Sequence, residues 1–223
     1  MQNTGSIASE NFIKTIYHFQ LGAGKDTRPG SIAKELGITN AAATDMARKL
    51  SQKKLIEYEK YKALKLSKSG ERMALNILRK HRLWETFLHQ VLGLSMHEIH
   101  REAELLEHLT SDFLADKIND YLGNPATDPH GDPIPNVDGT ISMDEKSFPL
   151  HEASVDQRYM VSRLSGSDKE FFDFCHSNKI FVGSKLNVNK QYSNNKMTEI
   201  EVDGARLILN DNFSNRIYIK KDN

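Results

Sequence analysis

Apolar residues recur at helical spacing from early in the chain. Phe12, Ile13, Ile16 and Phe19 share one face and Gly22 and Gly24 follow, which predicts an amphipathic helix over about 8–21. After a loop containing Pro29 and Gly30, Ser31 is placed to cap a short second helix, SIAKELG, with Ile32, Ala33 and Leu36 as its stripe and Gly37 as its stop. Thr39 or Asn40 then caps a third helix, with Ala43, Met46, Ala47 and Leu50 at i, i+3, i+4, i+7. Two short helices, a GIT turn and a small or polar outer face on the second of them form a helix-turn-helix pattern. LIEYEKYKALKLS alternates as a two-stranded hairpin does and carries Lys60, Lys62 and Lys65, which reads as the wing of a winged helix.

A long helix is predicted from Ser69 to about Val91, with Met73, Ile77, Leu78, Trp84 and Leu88 as its apolar positions and Gly93 closing it. Ser95 and Glu98 match a capping box, SMHE, that opens a second long helix to about Leu122, stopped by Gly123. GNPATDPHGDPIPNVDG is loop by composition. The period then shortens to the β-like runs RYMVSRL, KIFVG, KLNVN, MTEIEV, ARLIL and RIYIKK, with one helix expected at SDKEFFDFCHSN. The expected class is therefore mainly α with a small β domain. It comprises a winged helix-turn-helix over residues 1–72, a helical domain over 73–140 and a small, partly open β-barrel over 150–223.

Charge sharpens that division. The 223 residues sum to zero, yet residues 1–80 hold 15 Lys and Arg against 7 acids, and residues 81–160 hold 5 against 15. A basic module suited to a polyanion precedes an acidic one suited to cations. The single cysteine, Cys175, excludes an intramolecular disulfide and a thiolate-cluster zinc site. No run approaches the roughly 20 apolar residues of a membrane-spanning helix, and the first residues lack the pattern of a secretory leader. A cytoplasmic protein without a membrane partner is expected.

The acidic half contains HREAELLEH. On a helix, His100, Glu104, Glu107 and His108 fall at i, i+4, i+7, i+8 and share one side, where like charges repel unless a cation sits between them. His81 and Glu85 are also i, i+4 on the preceding helix. A nitrogen and oxygen donor set rich in carboxylate suits Mn2+ or Fe2+ better than the softer ions, although Zn2+ and Co2+ also fit. Leu105 and Leu106 read as core, and His89 and His97 as surface histidines.

GSIAKELGITNAAATDMARKL, the wing, RKHRLWETFL, GLSMHEIHREAELLEHLTSD and HGDPIP, in this order, resemble the diphtheria toxin repressor and manganese transport regulator family of metal-dependent transcriptional repressors. The resemblance implies that residues 73–140 form a metal-binding and dimerisation domain and that the barrel is SH3-like, with a primary metal site at Asn11, Glu104, Glu107 and His108 and an ancillary site at His81, Glu85 and His100. The ancillary site is completed either by Asp168 or by Asp128 and His130. Two departures stand out. Asn11 replaces the family's Met or Asp with a neutral amide oxygen, and Lys14 occupies a position where some manganese-responsive members carry a metal-binding Glu, which argues against a compact binuclear centre. Glu104 stands where iron-responsive members have Cys, and a carboxylate there favours Mn2+, with Fe2+ as the alternative.

The implied partners are a double-stranded DNA operator and a second copy of the chain. Thr39, Ala41, Ala42, Thr44 and Asp45 are candidates for the major groove, and Arg48, Lys49, Lys53, Lys60 and Lys62 for phosphate. A metal joining the first helix to a helix nearly a hundred residues later restricts the spacing of two recognition helices, repressing metal-uptake genes when the metal is plentiful. Two other readings compete: a winged-helix regulator answering an organic effector or partner, and a metal-dependent hydrolase. Against an enzyme, GxSxG, HExxH and the P-loop are absent from the sequence.

Overall fold

The computed structural model describes residues 6–21, 25–141, 146–166, 168–192, 194 and 196–222. Gly22 and Gly24, the expected stop of the first helix, lie outside the described residues, as does Ser167. The chain gathers into two compact units, residues 1–81 with 105–112 and 135–140, and residues 82–104 with 113–134 and 141–223.

In the first unit, α1 (Ile7–Leu21) turns Phe12, Ile13, Ile16 and Phe19 inward, as its spacing predicts. Helix α2 (Pro29–Leu36) starts ahead of the expected Ser31 cap. Pro29 supplies the preset φ of a first-turn residue and needs no N–H, while the Ser31 hydroxyl donates to Asp26 instead. Gly37 ends α2 at φ 63, a left-handed position that glycine adopts without strain. Thr39 caps α3 (Asn40–Gln52) by accepting the Ala42 N–H. Ala43, Ala47 and Leu50 are buried against the α1–α2 core and Met46 is half-buried. The wing is shorter than its alternation implies. Only β1 (Ile56–Glu57) and β2 (Lys65–Leu66) pair, antiparallel, and the lysine-bearing tip between them is exposed.

Helix α4 (Lys68–Leu92) has nearly the expected bounds. The capping box is formed: the Ser95 N–H donates to the Glu98 carboxylate at 2.9 Å, and the Glu98 N–H to the Ser95 hydroxyl at 3.4 Å. The long helix expected after it is two helices, α5 (Met96–Leu106) and α6 (Asp112–Tyr121). Thr110, Ser111 and Asp112 are residues that compete with the helical backbone, and the Thr110 hydroxyl bonds to the Leu106 carbonyl at the break. Leu105, expected in the core, is 64% exposed, and Leu106 is half-buried.

The second unit contains a six-stranded antiparallel sheet in the order β3-β8-β4-β5-β6-β7. The strands are β3 (Phe148–Pro149), β4 (Gln157–Leu164), β5 (Lys185–Tyr192), β6 (Met197–Val202), β7 (Ala205–Asn210) and β8 (Ile217–Lys221). With β3 and β7 as its edges the sheet is an open barrel. It closes over α7 (Lys169–Ser177), whose Phe171 and Phe172 enter a core with Tyr159, Val161, Val188 and Ile219. A short α8 (Asp211–Ser214) links β7 to β8. KIFVG is not a strand: Ile180 is buried, but the Phe181 N–H donates to the Ser184 hydroxyl in a turn. Among the described residues no helix is long and apolar enough to cross a membrane.

Candidate metal centres and nucleic-acid face

The first unit assembles donors from α1, α4 and the segment after α5. Consecutive turns of α1 carry Glu10, Asn11 and Lys14. The Glu10 carboxylate lies 2.5 Å from His108 Nδ1, and the Lys14 ammonium lies 2.5 Å from Glu107 Oε1. Glu107 is buried, and its second oxygen is 2.5 Å from His81 Nδ1. Asn11 Oδ1 and His108 Nε2 are buried without hydrogen-bond partners, and the latter lies 3.3 Å from Glu107 Oε1. A buried polar atom left unpaired costs about 1–3 kcal/mol. A divalent cation bound by an amide oxygen, an imidazole nitrogen and a carboxylate relieves that cost, so the residues present fit a hard or borderline ion. Glu104 stands on α5 one helical turn ahead of Glu107 and His108.

A second group lies wholly within the second unit. Glu85 on α4 and Asp128 and His130 on the following loop are all buried and present ligand atoms within 4.8 Å of one another. His100 Nδ1 is 3.1 Å from Glu85 Oε1, and His130 Nε2 is a third buried atom without a partner. Asp128 bends the loop by accepting the N–H groups of His130 and Asp132, and Arg82 donates to the Pro133 carbonyl. The barrel holds the same loop, since the Leu164 N–H donates to the His130 carbonyl at 2.8 Å and Arg163 pairs with Asp132.

Gly131 makes this close approach possible. Its φ is +87, and a Cβ there would lie 2.1 Å from the Ser162 carbonyl oxygen. Gly131→Ala is expected to lower unfolding stability by at least about 2 kcal/mol, the sum of a left-handed alanine and a backbone clash. Urea denaturation of the metal-free protein measures it, and an unchanged midpoint would remove the loop's dependence on this glycine.

Electrostatics of the trio place a proton where a cation fits. Burial pushes Asp128 up to about 6. Burial alone would lower His130, but the Asp128 and Glu85 carboxylates outweigh it and raise the ring to about 10. Between those values Asp128 is ionised and His130 is an imidazolium, so an ion that takes the His130 nitrogen displaces one proton. Divalent affinity at this trio is therefore expected to rise about tenfold per pH unit from pH 6.5 to 8.5. Mn2+ titrations at three pH values check this, and a flat profile would contradict it.

Of the two completions expected for the ancillary site, the structure does not bring Asp168 beside Glu85. Its carboxylate caps α7 through the Phe171 N–H and pairs with Arg216. Asp128 and His130, the other completion, are the pair beside Glu85. Sequence reading passed over Glu10, an acid in the first turn of α1. Its partner is 98 positions away, and no local spacing signals that.

Helix α3 presents Thr39, Ala41, Ala42, Asp45, Arg48 and Lys49 to the exterior, and Thr44 is half-buried. Two hydroxyls are engaged internally, Thr39 in the cap and Thr44 on the Asn40 carbonyl. Asp45 pairs with Lys49 and Lys62 with Glu59, while the Lys60 ammonium sits 4.9 Å over the Tyr61 ring. Lys53 is exposed.

Residues 6–64 match the family model for the iron-dependent repressor N-terminal DNA-binding domain. Residues 67–136 match that for the iron-dependent repressor metal-binding and dimerisation domain, and 148–221 the FeoA domain. The diphtheria toxin repressor of Corynebacterium jeikeium is 32% identical over 164 residues, 73% of this chain and 68% of that protein. A solved manganese-dependent transcriptional repressor in complex with manganese aligns at a TM-score of 0.87 and 31% identity, over 96% of this chain and 99% of that one. ScaR with bound Zn2+ aligns at 0.78 and 28% identity, over 96% and 99%.

Proposed function

We propose, because the chain belongs to the diphtheria toxin repressor family of metal-dependent transcriptional repressors, that it reads a cytoplasmic divalent metal, Mn2+ or alternatively Fe2+, and represses metal-uptake genes as a homodimer. The observation that carries this reading is the α1 cluster, where buried Asn11 Oδ1 and His108 Nε2 lack partners beside the buried Glu107 carboxylate. Asn11, Glu104, Glu107 and His108 are the proposed primary ligands. Glu85, Asp128 and His130, with His100 beside Glu85, are the proposed ancillary set, to which the family resemblance adds His81. Asp168 is left out because its carboxylate is engaged at α7.

A bound cation supplies a bond between donors of distant segments. Asn11 belongs to α1, which packs against α2 of the helix-turn-helix, whereas Glu107 and His108 follow α5. Holding these segments together narrows the positions open to α3. In a two-fold dimer the two recognition helices must enter major grooves one DNA turn apart, about 34 Å, or a multiple of it. Restricting α3 thus raises operator affinity through lost freedom rather than through new DNA contacts. Ala41 and Ala42 suit thymine methyl groups, and Arg48, Lys49, Lys53, Lys60 and Lys62 suit phosphates. Asp45 and Thr44 border the same face.

Working domain limits are 1–72, 73–140 and 150–223. The large exposed side chains Leu105 and Leu109 form the proposed dimer seam. An anaerobic gel-shift titration on the protein's own promoter region with Mn2+, Fe2+ and Zn2+ tests the reading. A complex that forms only with metal is expected, and one that forms equally without it would favour the effector-responsive alternative.

A further inference from the structure

We propose that Glu10 is a positioning residue of the α1 metal site: its carboxylate accepts the Nδ1 proton of His108 and so holds the ring in the tautomer whose Nε2 lone pair is free for a cation. The inference rests on the reading of His108 as a ligand and adds a residue that the ligand set does not contain. The supporting geometry is local. Glu10 Oε2 is 2.5 Å from His108 Nδ1, the two side chains are 13% and 3% exposed, and His108 Nε2 is buried without a hydrogen-bond partner.

A neutral imidazole carries one N–H and one lone pair. An ionised carboxylate only accepts, so the nitrogen that faces it must be the one bearing the proton, and the lone pair is left on the opposite nitrogen. Outer-shell carboxylates of this kind orient metal-binding histidines, and removing one typically costs 10–100-fold in metal affinity. His130 offers a contrast: its Nδ1 lies 3.6 Å from Glu85 and 3.9 Å from Asp128, beyond a hydrogen bond, and both of those carboxylates are themselves candidate ligands. Among the described residues, it is at His108 that a carboxylate outside the proposed ligand sets grips one ring nitrogen while the other stays buried without a hydrogen-bond partner.

The placement of Glu10 has a consequence for regulation. It rides on α1, and His108 lies 98 residues further on. The orientation of this ligand therefore depends on whether α1 is seated, so α1 reaches the site twice, once through the Asn11 oxygen and once through the ring that Glu10 holds. Seating α1 and binding metal then reinforce each other, as two equilibria sharing one geometry must.

The test uses the full chain and Mn2+ alone. Free Mn2+ is followed by electron paramagnetic resonance during titration of wild type, Glu10→Ala, Glu10→Gln and His108→Ala, with the other class of sites as an internal reference. Glu10→Ala is expected to weaken one class of Mn2+ site by 10–100-fold. Glu10→Gln, whose amide oxygen still accepts the Nδ1 proton, should recover most of the wild-type affinity. An equal loss in both variants would make Glu10 a ligand, and no loss in Glu10→Ala would make its contact merely structural; either result overturns the proposal. Independently of how the alanine variant folds, the imidazole nitrogen spectrum of the metal-free wild type, labelled at histidine, must show His108 protonated at Nδ1. A proton on Nε2 alone overturns the tautomer assignment. If His108→Ala binds as much Mn2+ as wild type with the same affinities, the ligand reading itself falls, and this inference with it.

Discussion

His108→Ala is expected to reduce operator affinity in saturating Mn2+ by about 100-fold, toward the upper end of the coupling that allosteric effectors exert. It should leave affinity in chelator unchanged. The imidazole is buried between Glu10 on α1 and the Glu107 carboxylate. Removing it takes away a proposed ligand and one of the contacts between α1 and the 105–112 segment, the Lys14–Glu107 pair being another. Glu107 stays paired with Lys14 and His81, so the buried carboxylate keeps its compensating partners and the fold should persist, with Glu10, at 13% exposure, losing its imidazole partner. Fluorescence anisotropy on a labelled operator, with Mn2+ and with chelator, gives both numbers. A variant that loses affinity equally in both conditions would assign His108 to folding rather than sensing.

Leu109→Asp should have a still larger effect. Leu109 is 81% exposed, and Leu105, four residues before it, is 64% exposed. Large apolar groups left in water at this spacing call for a second copy of the chain. A carboxylate in the seam would have to be buried unpaired in the dimer, while costing nothing in a monomer. Because one DNA-binding unit then no longer delivers the other, operator affinity is expected to fall about 1,000-fold, within the range that linked binding provides. Sedimentation velocity should show a monomer at concentrations where the wild type is dimeric. A variant still dimeric by that measure would move the interface elsewhere.

The local devices of the fold were legible because each is a short-range pattern. The Thr39 cap, the Ser95–Glu98 box, the Gly37 stop and the burial of Ala43, Ala47 and Leu50 all follow from spacing within a few residues. Breaks were harder to read. Apolar periodicity runs across Glu107–Ser111, and the cue for the break between α5 and α6 is the run Thr110, Ser111 and Asp112, residue types that compete with the helical backbone. KIFVG has strand composition, yet Ser184 closes it into a turn through two hydrogen bonds. Leu105 reads as core in a lone chain, since a sequence does not distinguish a surface kept for a partner from an interior.

The candidate ligands divide similarly. Helical spacing and resemblance nominated the His and Glu residues of α4 and α5, and the loop pair Asp128 and His130 was one of two completions. What brings the pair beside Glu85 is tertiary: Asp128 accepts N–H groups of its own loop and Gly131 lets the backbone approach Ser162. Asp168 looked equivalent by type, but its position at the N-terminus of α7 gives it a cap to make. The departure at Lys14 takes physical form in its ammonium, which already neutralises Glu107 at 2.5 Å. Glu10 carried no signal at all, because its role exists only once α1 meets a segment almost a hundred residues away.

The central claim is that metal and operator act through one restriction of the same chain. Linkage then requires that each tighten the other by the same factor. The direct measurement is the Mn2+ affinity of the full-length protein with and without a saturating operator duplex, at constant salt and pH. The metal should bind more tightly on DNA, by the factor that Mn2+ confers on operator binding. Equal Mn2+ affinities in the two conditions would contradict the clamp.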